Sequence, residues 1–215
     1  MRLVVFGASG NCGGHFVRLA AARGHGVSAV VREQTAFEPQ AGVQVVRGDV
    51  LDPAFVASVM AGAGADAVMS GLGMRYKHPW ARRMSPDDFT SRATAAIVAA
   101  MTAAGVRRIA IISAAGVGDS RPALNWMMRA MLAVSNVGKA YADLERAEAL
   151  LRASSLDWQA VRPTTLNHKP ATGRARITDR YRVSDSIPRQ DVAAFMLDQL
   201  ETAAPSQRTP MITAG

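Results

Sequence analysis

The sequence predicts an α/β protein, a single doubly wound, Rossmann-like domain with a mainly parallel sheet flanked by helices. Short apolar runs rich in Val and Ile alternate along the chain with segments of helical periodicity, which is the pattern of repeated β-α units. The first apolar run leads directly into a glycine-rich turn, "GASGNCGG". No internal repeat or Pro/Gly-rich linker divides the chain, so we expect one domain over residues 1–215.

The first half of the chain is expected to form four strands and three helices. Each strand is a short apolar run that ends in Gly or a charged residue, and the four runs cover 2–6, 26–32, 43–49 and 65–73. The helices are predicted at 11–23, 53–61 and 85–105. For the third helix, Ser85 is the expected N-cap and Pro86 the first helical residue, while Asp87 and Asp88 suit the positive end of the helix dipole.

The second half continues the alternation less regularly. Strands are predicted at 107–113, 156–163 and 209–214, helices at 139–153 and 189–200, and a hairpin within 172–184. Two stretches, 74–84 and 121–136, fit neither pattern. Both follow strand ends, and open α/β sheets bind their ligands outside the carboxyl ends of the strands.

The glycine-rich turn predicts a dinucleotide site. Its spacing is Gly7-x-x-Gly10-x-x-Gly13, between a strand and a helix. The first glycine permits a tight turn, the second lets the backbone approach a pyrophosphate, and the third lets the helix pack closely on the strand. Cys12 lies inside this turn, and we favour a small filler beside the pyrophosphate over a reactive thiol.

The end of the second strand favours NADPH over NADH. NAD sites usually place Asp or Glu there to bind the ribose hydroxyls, whereas this chain has Arg32, followed by Glu33. A guanidinium suits the additional phosphate of NADP(H) through its forked donors. Asp49, at the end of the third strand, is either an acceptor for the adenine amino group beside Val50 or a simple turn aspartate.

The later strand ends are expected to meet the nicotinamide. Leu72 and Gly73 close the fourth strand, where the backbone passes close to the cofactor, and Ser113 closes the fifth. Ser113 is the one catalytic candidate, because its hydroxyl could donate a hydrogen bond to the nicotinamide amide or to the acceptor. We find no zinc-binding Cys/His spacing, nucleophile elbow or P-loop in the sequence.

The chain resembles the atypical short-chain dehydrogenase/reductase group with an NAD(P)H-binding domain. Within it, the sequence is most similar to the flavin reductase / biliverdin-IXβ reductase type. The blocks that carry this resemblance occur in family order over nearly the whole chain, and they are "VVFGASGNCGG", "VSAVVRE", "VVRGDVLDP", "AIVAAMTAAGVRRIAIISA", "LLRASSLDWQAVRPTTL", "TGRARIT" and "RQDVAAFMLDQL".

The resemblance implies NADPH bound across the strand ends and an acceptor stacked over the nicotinamide. It also implies that the backbone from Pro163 through Thr165 to Leu166 closes over the nicotinamide. The remaining expected cofactor contacts are Gly7, Ser9, Gly10, Asn11, Cys12, Gly13, Arg32, Asp49, Val50, Leu72, Gly73 and Ser113.

Two departures from the family patterns bear on the reaction. Alcohol-directed members use Tyr-x-x-x-Lys, but here Tyr141 is followed by Glu145 where the Lys would stand. The flavin reductase type has histidines near its acceptor, and the positions that match them here are Leu144 and Thr165. The expected reaction is therefore hydride transfer to a flat, conjugated acceptor, with FMN or FAD as candidate substrates. The alternative is a dinucleotide-binding sensor of the NmrA-like type, without turnover.

Composition narrows the class of partner. The net charge of +8 and a pI near 10.7 suit anionic partners such as a phosphorylated cofactor or an acidic substrate, or simply reflect a solvated surface. We do not expect nucleic acid, because no basic recognition helix or aromatic sheet motif is visible. No segment is apolar enough for a membrane span or a signal peptide, and one cysteine allows no intrachain disulfide, so we expect a cytoplasmic protein, as a monomer or small homo-oligomer.

The two irregular stretches are candidates for the acceptor site. Tyr76, Trp80, Arg82 and Arg83 would suit a lid with aromatic faces and cations, or else an exposed basic loop. The apolar run Trp126, Met127, Met128 and Met131 could line a broad pocket, although we favour helix packing or a subunit contact.

Overall fold

The computed structural model describes residues 1–38, 40–74, 84–182, 184–202 and 208–214. The strands are β1 (Arg2–Phe6), β2 (Gly26–Val31), β3 (Val43–Arg47), β4 (Ala67–Ser70), β5 (Arg108–Ile112), β6 (Asp157–Pro163), β7 (Thr165–Asn167), β8 (Arg176–Ile177), β9 (Ser186–Pro188) and β10 (Met211–Thr213). The helices are α1 (Asn11–Ala22), α2 (Pro53–Ala63), α3 (Phe89–Ala103), α4 (Trp126–Val134), α5 (Asn136–Arg152) and α6 (Arg189–Glu201).

Eight strands form one sheet in the order β3-β2-β1-β4-β5-β6-β10-β8. All neighbouring pairs from β3 to β10 are parallel, and β8 joins the edge antiparallel to β10. The predicted Rossmann-like α/β fold is therefore confirmed. The strand order changes direction between β1 and β4, and this switch point is where open α/β sheets bind ligands.

Helices cover both faces of the sheet. The side chains of β1 alternate between two cores: Leu3 and Val5 point to one face, Val4 and Phe6 to the other. Helices α1 and α6 pack together on the first face, while α2, α3 and α5 cover the second. This arrangement leaves the carboxyl edge of the sheet, with its loops, open to a ligand.

Helix α3 begins later than the sequence predicted. It starts at Phe89, and Ser85 and Pro86 precede it in a turn that is closed by a hydrogen bond from the Phe89 amide to the Pro86 carbonyl, at 3.3 Å. The expected local cap is wrong, because the Thr90 and Ser91 amides, which follow the first amide of α3, are bound by a side chain from another helix. The buried carboxylate of Asp143 in α5 accepts from the Thr90 amide at 2.6 Å.

The hairpin predicted within 172–184 is also wrong. The short strand β8 does not pair within this stretch but with the edge of β10, with Ile177 opposite Ile212. Strand β9 pairs in parallel with β7, more than fifteen residues away in sequence, through Leu166 and Ile187. The edge of β10 and the backbone after β6 supply the partners that a local hairpin would have supplied.

The irregular stretch 121–136 is mostly helical. A 3₁₀-helix (Gly118–Ala123) leads into α4, and α5 starts three residues earlier than predicted, at Asn136. Leu132 is buried, whereas Trp126 is 79% and Met127 55% exposed. Neither of these two exposed side chains packs into the core.

Candidate dinucleotide and acceptor cleft

The glycine-rich loop lies at the switch point of the sheet and packs against the end of β4. Gly7 has a φ of +76°, and a Cβ on it would stand 3.0 Å from the carbonyl carbon of Gly71. A Cβ on Gly13 would stand only 2.2 Å from the Gly7 carbonyl oxygen. The loop therefore requires both glycines, one for its backbone conformation and one for the contact between α1 and the loop.

The N-terminus of α1 is left open toward this loop. Its N-cap is Gly10, so no side chain caps the helix, and no acidic residue lies in its first turn. The first free amides and the positive end of the helix dipole together favour an anion at this point. The loop geometry therefore fits the pyrophosphate of a dinucleotide.

A cleft of about 660 Å³ opens beside this loop at the carboxyl ends of the strands. Most of the residues predicted from the sequence line it, and these are Gly7, Ser9, Gly10, Asn11, Cys12, Arg32, Asp49, Val50, Leu72, Gly73, Ser113 and Leu166. Gly13, Pro163 and Thr165 are not among the lining residues. Gly13 underlies the loop, Pro163 is buried at the end of β6, and the Thr165 hydroxyl pairs with that of Tyr181 at 3.0 Å.

One end of the cleft lies past β2 and β3 and is polar. Arg32 is exposed there, and Arg47 donates to the carbonyl oxygens of Glu33 and Thr35 at 3.2 and 2.8 Å, which orders the loop after Arg32. Asp49 lines the cleft, but its carboxylate also accepts from the Leu51 amide at 2.9 Å. Asp49 therefore shapes its own turn, and only part of its hydrogen-bonding capacity remains for a ligand.

The other end of the cleft, past β4, β5 and β6, is mostly apolar. Its floor and walls include Leu72, Phe89, Ile112, Leu144 and Leu166. The lining residues that the structure describes at this end include no ionisable side chain. Leu144, where the resemblance to the flavin reductase type implies a histidine position, contributes an apolar side chain to this lining.

The thiol of Cys12 stands at the wall of the cleft in its neutral form. Burial raises the pKa of Cys12 to about 11, although the charge of Arg189 acts in the opposite direction. Burial also lowers the pKa of His15, one turn further along α1, and electrostatic interactions with Arg18, Arg189 and His168 lower it further. At neutral pH this region thus presents an inert thiol and a neutral imidazole.

Ser113 lies where β5 meets the cleft and is tied to a buried ion pair. Its hydroxyl donates to Glu148 at 2.7 Å, and Glu148 forms a two-pronged pair with Arg162. All three residues are at least 96% buried. Burial alone would lower the pKa of Arg162, but its hydrogen bonds to Glu148 and Asp119 raise it, and Arg162 in turn lowers the pKa of the exposed Asp119.

Among the residues that the structure describes, Tyr141 and its neighbours in α5 do not form the acid/base pair of alcohol-directed enzymes. The Tyr141 hydroxyl donates to the Ala115 carbonyl at 3.1 Å, and Glu145 is exposed. Lys139 is exposed and pairs with Asp87 at 3.7 Å. The suggested lid residues Tyr76, Trp80, Arg82 and Arg83 lie outside the described residues, and Trp126 and Met127 do not line the cleft.

Sequence reasoning missed several walls of the cleft. Phe89 and Leu144 come from helices, and Ile112 is the last residue of β5, where the sequence pointed to its neighbour Ser113. The Glu148–Arg162 pair was also missed, since fourteen residues separate its members and nothing local marks them as buried. The available signal was Arg162, a charged residue that directly follows the apolar pair Ala160 and Val161 inside a predicted strand.

No helix among the described residues has the length and apolar character needed to cross a bilayer.

Comparisons with known proteins identify the family and the fold. Residues 7–203 match the family model described as NAD(P)H-binding. The structure of ChuY, an anaerobilin reductase from Escherichia coli, superposes with a TM-score of 0.81 at 29% identity, over 99% of this chain and 96% of that one. A short-chain dehydrogenase/reductase from Veillonella parvula in complex with NADP has the same fold, with a TM-score of 0.75 at 18% identity over 98% of this chain and 93% of that one.

A curated relative supports the same class of protein. The 3-diazoavenalumate denitrifying reductase of a Streptomyces species is 32% identical over 186 residues, which is 82% of this chain. The chain spans only 59% of the length of that relative. The neighbours named as reductases and the family match together indicate an oxidoreductase-type fold with a nicotinamide dinucleotide site, and the chain belongs to the NAD(P)H-binding family.

Proposed function

We propose that the protein is an NADPH-dependent reductase that transfers hydride to a planar conjugated acceptor, such as FMN, FAD, a quinone or a tetrapyrrole-like molecule. One observation carries the proposal: the cleft joins a dinucleotide cradle to an apolar end whose described lining residues include no acid or base. Such a site suits an acceptor whose conjugated system delocalises the negative charge that the hydride brings.

The protein's part in this reaction is to bind, orient and exclude water. When bound, NADPH supplies the hydride, and the proton that completes the reduction comes from solvent. Leu72, Ile112 and Leu144 offer the apolar surface on which a flat ring can stack over the reacting carbon. An alcohol or a ketone would need an acid in place, and the Tyr141 hydroxyl is engaged with the Ala115 carbonyl instead.

The preference for NADPH rests on the polar end of the cleft. Arg32 lines the cleft and is exposed, so its guanidinium is accessible to a phosphate on the adenosine ribose. Arg47 orders the loop that follows, adding a second cation nearby. Glu33 is exposed and does not line the cleft, so it offers little support for an NAD-type ribose contact.

The relatives support an acceptor of this kind. Two of them are reductases, with names that refer to an anaerobilin and to a 3-diazoavenalumate. We also expect the protein to act in the cytoplasm, where a lone cysteine stays reduced.

The test is acceptor-dependent oxidation of NADPH, followed by its absorbance, with FMN, menadione and biliverdin as acceptors. Leu144→Trp should fill the apolar end and abolish turnover while NADP⁺ still binds. Leu150→Trp, at an exposed position of the same helix, is the matched control and should leave turnover unchanged. Tight NADP⁺ binding without oxidation by any acceptor would contradict the proposal and favour the NmrA-like dinucleotide sensor.

A further inference from the structure

The orientation of the Ser113 hydroxyl is set by a fully buried carboxylate. Ser113 follows β5, lines the cleft and is 4% exposed. Its amide donates to the Val161 carbonyl at 2.7 Å, which fixes its backbone against β6. Its hydroxyl donates to Glu148 Oε1 at 2.7 Å, on the side away from solvent.

Both carboxylate oxygens of Glu148 are fully engaged as hydrogen-bond acceptors. Oε1 accepts from Ser113 Oγ and from Arg162 Nε at 3.0 Å, and Oε2 accepts from Arg162 Nη2 at 2.6 Å and from Arg152 Nη2 at 2.7 Å. A carboxylate offers about four lone-pair sites, and all of them face donors here. The shared proton of the Ser113–Glu148 bond therefore belongs to the serine.

The partners of Glu148 are themselves held in place. Arg162 is 1% exposed and also binds Asp119 at 2.7 Å. A Cβ on Gly118, which has a φ of +55°, would stand 3.2 Å from Arg162 Nη2, so the backbone closes over the guanidinium. A buried ion pair is a poor way to gain stability, since an apolar replacement is often as stable. Its position directly behind Ser113 is consistent with a role in orienting that side chain.

We propose that Glu148 is a positioning residue that makes Ser113 a hydrogen-bond acceptor toward the cleft, so that the ligand group seated on Ser113 is an N–H donor. A hydroxyl has one proton, and here that proton is bound to Glu148, so only the oxygen lone pairs of Ser113 face the cleft. The amide of a nicotinamide and the N–H of a flavin or pyrrole ring satisfy this requirement. A bare carbonyl or quinone oxygen at the same place would meet lone pairs. This inference rests on the proposed function and reverses the donor role expected of Ser113 from the sequence.

The first experiment compares NADP⁺ with its 3-acetylpyridine analogue, in which a methyl group replaces the amide nitrogen. By calorimetry, the wild-type protein should bind the analogue about tenfold more weakly, the value of one lost hydrogen bond at a buried acceptor. Ser113→Ala should bind NADP⁺ and the analogue with nearly equal affinity, because neither ligand then has a hydrogen-bond partner at this position. Ser113→Cys, which keeps the shape but accepts poorly, should reduce the ratio as well.

Glu148→Gln tests the positioning role itself. The new amide keeps its oxygen on Arg162 and donates its N–H to Ser113, which frees the serine proton to point into the cleft. The analogue, whose carbonyl accepts, should then bind about as well as NADP⁺ although Ser113 is intact. Glu145→Gln makes the same chemical change at an exposed position of α5 and should keep the wild-type ratio. If Glu148→Gln does not fold, the two Ser113 variants still test whether Ser113 accepts a hydrogen bond from the ligand, which the inference requires.

A second ligand pair distinguishes cofactor from acceptor. If the N–H belongs to the acceptor, NADP⁺ and its 3-acetylpyridine analogue should bind with nearly equal affinity. Lumiflavin should then bind the NADP⁺ complex about tenfold more tightly than N3-methyl-lumiflavin. Ser113→Ala should abolish this difference between the two flavins. The inference is overturned if the wild-type protein binds both members of each ligand pair equally well. It is also overturned if a difference in affinity within a pair persists in Ser113→Ala. A protein that binds no dinucleotide at all would instead refute the proposed function.

Discussion

Gly13 and Gly7 are in such close contact that a Cβ on Gly13 would stand 2.2 Å from the Gly7 carbonyl oxygen. The neighbouring Gly14 is different, since its nearest contacts would be the Ala8 carbonyl oxygen at 3.5 Å and Arg18 at 3.6 Å. Two adjacent glycines of the same helix are thus required to very different degrees. The contact at Gly13 sets the distance between α1 and the loop that would hold a pyrophosphate.

We expect Gly13→Ala to destabilise the protein by about 3 kcal/mol, because the obstructing atom is backbone and cannot move aside. NADP⁺ binding should fall with it. Gly14→Ala, its control, should be neutral or stabilise by about 0.5–1 kcal/mol, since alanine favours a helix interior. Urea unfolding and calorimetric titration measure both effects. Equal stability of the two variants would contradict the loop geometry.

Arg32→Asp should change the cofactor preference. Replacing the guanidinium by a carboxylate removes a charge-assisted contact and adds repulsion, so we expect NADPH affinity to fall about 100-fold, with NADH affinity within about threefold of wild type. Glu33→Gln is the control, and it should leave both affinities nearly unchanged. Equal loss for both cofactors in Arg32→Asp would refute the assignment of Arg32 to the ribose phosphate.

The sequence was sufficient for the parts of the site that depend on local conformation. Gly7 needs a left-handed backbone and follows a buried strand, and both features are visible in a single short stretch. Arg32 was found because its place at the end of β2 follows from the alternation of strands and helices. The glycine loop and the place of Arg32 beside it were predictable for this reason.

Contacts between distant segments could not be predicted in this way. The sequence placed the cap of α3 at Ser85, but the carboxylate that binds the Thr90 amide belongs to Asp143, fifty-three residues later. Ser113 was expected to donate into the cleft, yet its donor is engaged by Glu148. Both cases depend on how α5 packs against the sheet and against α3, and no local pattern encodes that packing.

The cap supplied by Asp143 gives a third prediction. Asp143 accepts from the Thr90 and Ser91 amides and from the Ser91 hydroxyl, and it is fully buried. Asp143→Ala leaves these buried donors without a partner and should destabilise by about 3 kcal/mol. Asp143→Asn, which keeps one acceptor oxygen, should lower the free energy of unfolding by less than Asp143→Ala does.

The control for this prediction lies at the end of α3 itself. Asp88 occupies the N-cap position of α3 in the structure, but its side chain does not cap the helix, and its contact with Arg92 at 3.9 Å is exposed. Asp88→Asn should therefore change the free energy of unfolding by no more than about 0.5 kcal/mol. A larger effect at Asp88 than at Asp143 in urea unfolding would show that the local cap matters more.

Cys12 gives a prediction about pH. It is the one cysteine of the chain, and burial raises its pKa to about 11. The reactive thiolate is the minor form below that pH, so the rate of alkylation by iodoacetamide should rise about tenfold per pH unit from pH 7 to pH 10. The thiol of an unstructured cysteine peptide has a pKa of about 8.5, so the alkylation rate of such a peptide should level off within this range.

The location of Cys12 adds a second expectation. Because Cys12 lines the cleft beside the glycine loop, NADP⁺ should slow its alkylation further at every pH. Mass spectrometry of the intact protein measures the modification, and circular dichroism confirms that the fold persists over the pH range. An alkylation rate that levels off near pH 8.5 would mean that the thiol is solvated rather than buried, and the wall of the cleft at α1 would then have to be more open than the structure shows.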